Sequence, residues 1–297
     1  MIKQVFAGLA VLWLAATLVF FALRLLPGDA ISAQISEGGL SAAQIAERRA
    51  ALGLDRPVLM QYGHWLAGLL SGDLGMSLLD SRPVTEIVGQ QLAPTLALAV
   101  SALLTAIILG SGLGIAAGLG MESARLVLTL ALSAPIYWTG TLAIWLFAVV
   151  LDWLPTSGGS GTGSLVLPSL VLGLHTAGSI GRVIAANVNA TLDADFILTA
   201  RMKGLTERSI MGRHVLRVSL LPAVNVVALQ AGFLLSGVVI TETLFLRPGV
   251  GRVLLDAVLR QDYPVVQGIA LWIALVYLAV NTAADVIVRQ LDPRVAA

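Results

Sequence analysis

Apolar stretches alternate with polar ones along the 297 positions, at about 5–23, 92–119, 126–151, 166–185, 222–241 and 266–288. Each is near the ~20 residues that cross ~30 Å of hydrocarbon as a helix, so the pattern predicts six transmembrane spans. The first runs nineteen positions without a charge, from Val5 to Leu23, behind Lys3. It is too long for a signal peptide and no small-x-small cleavage site follows, so it is expected to stay as an anchor. Polar residues dominate 27–90, where Ser41–Leu52 reads as a helix with Ser41 as N-cap and Gly53 as its stop. Residues 58–70, with Tyr62, Trp65, Leu66 and Leu69, suit an amphipathic helix at the membrane interface.

The longest polar interruption in the second half is 191–222. Acids stand at its start (Asp193, Asp195) and bases near its middle (Arg201, Lys203), as a helix dipole prefers. Gly204 falls where a helix C-terminus wants positive φ. A second short helix can begin at Thr206, with Met211, Val215 and Val218 at i, i+4 and i+7 as its apolar face. Two short amphipathic helices hung between spans form a handle that another protein could grip. The run Gly110-Ser-Gly-Leu-Gly114 is a close-approach surface for a helix, with intrachain packing the simpler reading.

Composition agrees with the pattern: 57% hydrophobic, 12% charged, mean hydropathy +0.90. A soluble domain is nearer a quarter charged, so this is an integral membrane protein. The net charge of +1 argues against a polyanionic partner, nucleic acid included. With the N-terminus inside, inner segments carry ten bases against six acids, and outer segments eight against eleven. The outer loop at 152–165 has no Lys or Arg. The positive-inside bias therefore predicts N-in, C-in, with 188–222 cytoplasmic.

Candidate chemistry is sparse. There is no cysteine, and His64, His175 and His214 share no ligand spacing, so no metal site is expected. No phosphate-binding G-x-x-x-x-G-K-[ST] occurs, nor G-x-S-x-G, H-E-x-x-H or paired intramembrane carboxylates. Neither a cofactor nor catalysis is expected. Arg182, Glu242 and Asp285 lie near membrane depth, where charges are functional candidates. Each has a plainer reading: Asp285 pairs with Arg289, Glu242 is solvated or pins the outer loop, and Arg182 snorkels from the cytoplasmic end of its span.

The motif Thr199-Ala-Arg-Met-Lys-Gly-Leu205, then Arg213-His214 and Leu220-Leu-Pro222, resembles the coupling segment of bacterial ABC-importer permeases. More narrowly, the chain is similar to the dipeptide/oligopeptide/nickel branch. Arg24-Leu-Leu-Pro-Gly-Asp29, Leu52-Gly-Leu-Asp-Arg-Pro57, Gly72-Asp-Leu-Gly75 and Arg82-Pro-Val84 agree in order. So do Glu242-Thr-Leu-Phe245, Pro248-Gly-Val-Gly-Arg252, Asp262-Tyr-Pro-Val265 and Asp292-Pro-Arg294, and the likeness runs nearly end to end.

The resemblance implies an all-α, type I importer-like permease. Its organisation would be an N-terminal span at 1–26, an extracytoplasmic region at 27–90 and a five-helix core at 91–297. It implies as partners a second homologous permease, two cytoplasmic ATPases, an extracytoplasmic binding protein and the bilayer. The segment around 194–204 would be the coupling helix, with Asp195, Phe196, Thr199, Ala200, Arg201, Lys203 and Gly204 facing the ATPase. Phe196 would be the apolar anchor, Ala200 and Gly204 the small residues at closest approach, and Arg201 and Lys203 the partners of acids. Arg182 and Glu242 are candidates for gating or the pore rim. The sequence departs from the family pattern at Leu198-Thr199, where the signature has Glu-Ala, and at Ala185 and Ala190, where the branch often has Arg and an acid. The competing reading, a stand-alone secondary transporter or channel, predicts intramembrane charge pairs or matching broken helices in two halves, and the sequence signals neither. Dipeptides, oligopeptides, nickel or metal chelates, opines and glutathione-like solutes all stay open as cargo.

Overall fold

The computed structural model describes residues 2–25, 42–51, 53–155 and 163–291. All its regular elements are helices; a single β-bridge, Met76 with Pro83, is the only extended pairing among the described residues. They are α1 (Ile2–Leu25), α2 (Ala42–Ala51), α3 (Val58–Leu70), α4 (Val84–Gly118), α5 (Glu122–Ser133) and α6 (Ile136–Val150). Then come α7 (Gly163–Leu192), α8 (Asp195–Met202), α9 (Glu207–Ser219), α10 (Leu221–Leu244), α11 (Val250–Leu259) and α12 (Tyr263–Leu291). Four of them are long and apolar enough to cross a membrane, or up to six elements if each of two bent pairs makes one span.

The bent pairs are where the expected spans change. The stretch expected as one span at 126–151 is two helices meeting at 113°. The break falls at Ala134-Pro135, where proline drives the preceding residue out of the helical region: Ala134 has φ −79°, ψ 131°. The pair α9 and α10 bends by 44° at Leu220 to Pro222. The second span is much longer than expected, because Val84–Gln91, polar enough to pass for loop, continues the helix. An Arg82–Glu86 ion pair of 2.7 Å braces its first turn. Helix α11 lies in what the sequence reads as plain loop.

The chain divides into two compact units. One comprises Met1–Ala93 and Pro248–Leu278, the other Pro94–Arg247 and Ala279–Ala297. In the first, α3 turns its aromatic residues to α1. Tyr62 meets Phe20 edge to face and Trp65 lies tilted against it, with ring centroids 5.1 and 5.2 Å apart. Thr17 and Tyr62 share a 2.8 Å hydrogen bond, and Arg24 lies over the Phe20 ring while donating to Gln61. The motifs at 72–84 and 262–265 meet here. The Asp262 carboxylate accepts from Ser77 Oγ and from the Leu78 N–H, and Gly75 lies against Pro264.

The second unit is built around α7. Gly110, Gly114 and Gly118 of α4 recur every fourth residue and bring that helix onto α7. A Cβ on Gly114 would stand 2.7 Å from the Gly181 carbonyl oxygen and 2.9 Å from its Cα. Intrachain packing is thus what this glycine run serves, except at Gly112, which faces open space. The expected Asp285–Arg289 pair, the motif at 292–294, Ser41 and most of 24–29 lie outside the described residues or side chains.

Candidate functional site

The handle between α7 and α10 consists of α8 and α9. Helix α8 begins with Asp195 in its first turn and ends with Arg201 in its last, an arrangement that suits its dipole. Its C-terminus closes on Gly204, at φ +74°. The Gly204 N–H donates to the Arg201 carbonyl at 2.9 Å and the Leu205 N–H to the Ala200 carbonyl at 3.3 Å. This is the paired cap that requires a left-handed residue. Two residues on, the Thr206 hydroxyl accepts the Ser209 N–H and starts α9.

One side of this handle is sealed against the membrane core. Ile197 is wholly buried and Ala200 is 6% exposed. Both pack in one apolar cluster with Ile180, Ile184 and Val188 of α7, Ile210 and Val215 of α9, and Ala223 of α10. Burying a side chain such as Ile197 contributes roughly 1.5–3 kcal/mol, which holds α8 against α7, α9 and α10. Ser219 adds polar latches, donating to Thr191 Oγ1 and the Asn187 carbonyl, both at 3.1 Å.

The other side is open. Phe196 is 46% exposed, and Asp195, Thr199, Arg201, Lys203 and Gly204 are exposed with it. Ala200 does not join them. Its small side chain is needed where α8 approaches the transmembrane core, so its expected place at a partner interface is corrected. Arg201, expected to seek acids elsewhere, holds Glu207 at 2.8 Å across the turn. The hydrogen bond from Arg201, ahead of charge attraction, keeps the Glu207 carboxyl below its usual range. Lys203, the residue that follows α8, is an exposed basic group beside it.

The inward face of α9 keeps Met211 and Val215 as expected, but not Val218. Ile210, Val215 and Ser219 are buried, whereas Val218 is 47% exposed and Met211 half-buried. The cause is a wide π turn over Met211–Val215, where the Leu216 N–H bonds the Met211 carbonyl five residues back. Five residues separate Ile210 from Val215, and a regular 3.6-residue period cannot anticipate that spacing.

The two remaining candidates lie apart from the handle. Arg182 is exposed on α7. The helix runs on from Arg182 to Leu192, about 15 Å at 1.5 Å per residue. Glu242 is fully buried and accepts a 2.6 Å hydrogen bond from Thr95 Oγ1. Its carbonyl takes the Arg247 N–H, while the buried Arg247 guanidinium donates to Ser164 Oγ. Burial pulls Arg247 below its ordinary pKa and the nearby Glu242 charge opposes this. Glu242 therefore pins the loop after α10; the solvated alternative is ruled out by its burial, and so is a side chain open to a pore rim in this conformation.

An all-helical chain with several membrane-length helices and a helical handle between them is an architecture that a transport permease can use. Residues 106–297 match the family described as binding-protein-dependent transport system inner membrane component, and residues 1–99 match its N-terminal companion. The chain belongs to that family: it is the permease subunit of an ABC importer and an inner-membrane component. The glutathione transport system permease protein GsiC of Escherichia coli K12 is 35% identical over 300 residues, covering 99% of this chain and 97% of its own. Its counterpart from Salmonella typhimurium LT2 is 36% identical over the same span. Among solved structures, an amino acid ABC transporter with histidines aligns at a TM-score of 0.51 and 14% identity. That alignment covers 71% of this chain and 94% of the transporter chain, a likeness of fold.

Proposed function

We propose that this chain forms half of a translocation path for short peptides, with glutathione-like tripeptides first among them. Its relatives named for glutathione transport, similar over nearly the whole chain, support that solute class. The handle at 188–222 seats the chain on cytoplasmic ATP-binding subunits, a second permease completes the path, and an extracytoplasmic binding protein delivers the solute. Both termini lie in the cytoplasm, in line with the distribution of basic residues.

The two-faced handle carries the coupling proposal. Ile197 and Ala200 lock α8 to the apolar core while Phe196, Thr199 and Lys203 face out from the opposite side. Motion imposed on the outer face therefore reaches α7 and α10 through close-packed side chains, which shift as a body. Gentle detergent extraction of the tagged full chain, with mass spectrometry of its companions, tests the assembly. A second permease and ATP-binding subunits are expected; recovery of the chain alone contradicts the reading.

A further inference from the structure

Midway along α7 is an arrangement that the coupling function leaves unused. A cavity of about 240 Å³ lies between α7 and α10, with Leu132 and Ile136 at one wall. His175, Thr176 and Ser179 line it from α7, and Gln230 from α10. His175 is about 18 Å from the first residue of a helix ~45 Å long, so the cavity sits well inside the span.

These groups are more than interior polarity. The Thr176 hydroxyl is satisfied by the Leu172 carbonyl at 2.9 Å, but His175 Nδ1 is buried with no hydrogen-bond partner among the described residues. Leaving such a nitrogen unmet carries its full desolvation penalty, and an ionisable side chain at membrane depth is by default a functional candidate. The exposed face of Phe233 and the side chain of Ile240 complete an apolar wall.

We propose that His175, Ser179 and Gln230 form a wet solute-contact site on the transit path, built for the amide groups of a short peptide. This rests on the permease reading above. Imidazole, hydroxyl and carboxamide each donate and accept, as a peptide bond does, and the apolar wall takes an adjoining side chain. Apart from His175 no ionisable residue among the described ones lines the cavity. A bare divalent cation would find one imidazole and no carboxylate, and no cluster of metal-ligating residues exists among the described residues.

The chain contains no cysteine, so single thiols can be placed without other changes. In the assembled complex, Ser179→Cys and Gln230→Cys are treated with a charged methanethiosulfonate reagent, alongside Leu104→Cys on the outer apolar face of α4. Thiolate forms only where water reaches it, so the two cavity positions are expected to react at least about tenfold faster than Leu104→Cys. Glutathione or Ala-Phe, whichever the unsubstituted complex imports, is expected to slow them. Reaction no faster than at Leu104→Cys overturns the wet site. Fast reaction that an imported peptide leaves unchanged overturns the solute contact. If the unsubstituted complex imports neither peptide, the peptide class fails here and in the proposed function alike, while the labelling rates still decide whether the cavity is wet.

Discussion

Replacing Gly204 separates two reasons for its presence. At φ +74° an L-residue is strained, yet a Cβ built there meets nothing within 4 Å. The cost within this chain is therefore conformational and independent of side-chain volume. Alanine in the left-handed region costs about 1–2 kcal/mol, a factor of roughly 5–30 in the ratio of capped to frayed helix. Asparagine, which tolerates that region through local hydrogen bonds, costs less despite its greater size. Valine, branched at Cβ, costs most. Peptide uptake per unit of chain in the membrane is expected to fall in the order Gly, Asn, Ala, Val. Loss following volume instead, with Gly204→Asn worse than Gly204→Ala, would refute the backbone argument and place Gly204 against a partner surface.

Further predictions concern packing and charge. Ile210→Ala is expected to lower the stability of the purified protein by about 2–5 kcal/mol, while Val218→Ala stays within about 0.5 kcal/mol. Heating followed by size-exclusion detection compares them, and the opposite ranking would restore the regular helical register. Gly114→Val must push α4 from the Gly181 backbone and is expected to cost about 1–3 kcal/mol, with Gly112→Val near neutral in the same assay. Glu242→Ala is expected to be less stable than Glu242→Gln by about 1–3 kcal/mol, because glutamine still accepts from Thr95. Since Glu207 titrates below its usual range, its pair with Arg201 contributes above the unfolded carboxylate pKa and is lost as pH falls through the lowered folded value. Uptake by Glu207→Gln, measured against the parent across the neutral range, is expected to differ by a constant factor without a pH step.

Much of this was legible in local chemistry. Apolar run lengths locate the long helices, and Gly204 and Thr206 mark the two ends of the turn in the handle. The acids and bases of α8 stand at the ends its dipole favours. What escaped depends on partners distant in sequence or on irregular backbone. Ala200 reads as small, but only the packed cluster of Ile184, Val188 and Ile197 tells which neighbour needs it small. Its replacement by glutamate would bury a charge in that cluster and disrupt folding, so it is a poor probe of coupling. The π turn at 211–215 shifts a buried face by a residue without a distinctive residue to announce it. Pro135 did carry a signal, since a proline inside an apolar run tends to break it, and the break at 134–135 follows that rule. His175 was one of three scattered histidines in the sequence; only the fold sets it beside Ser179 and Gln230.

The central claim is that the outer face of α8 is the surface gripped by an ATP-binding subunit. A photo-crosslinking amino acid placed singly at Phe196, Thr199 and Lys203, and in separate chains at Ile197 and Ala200, tests it in native membranes. The account predicts adducts with an ATP-binding subunit from the first three positions and none from the two buried ones. Adducts from Ile197 or Ala200, or none from Phe196, Thr199 and Lys203 in membranes that import peptide, would contradict it.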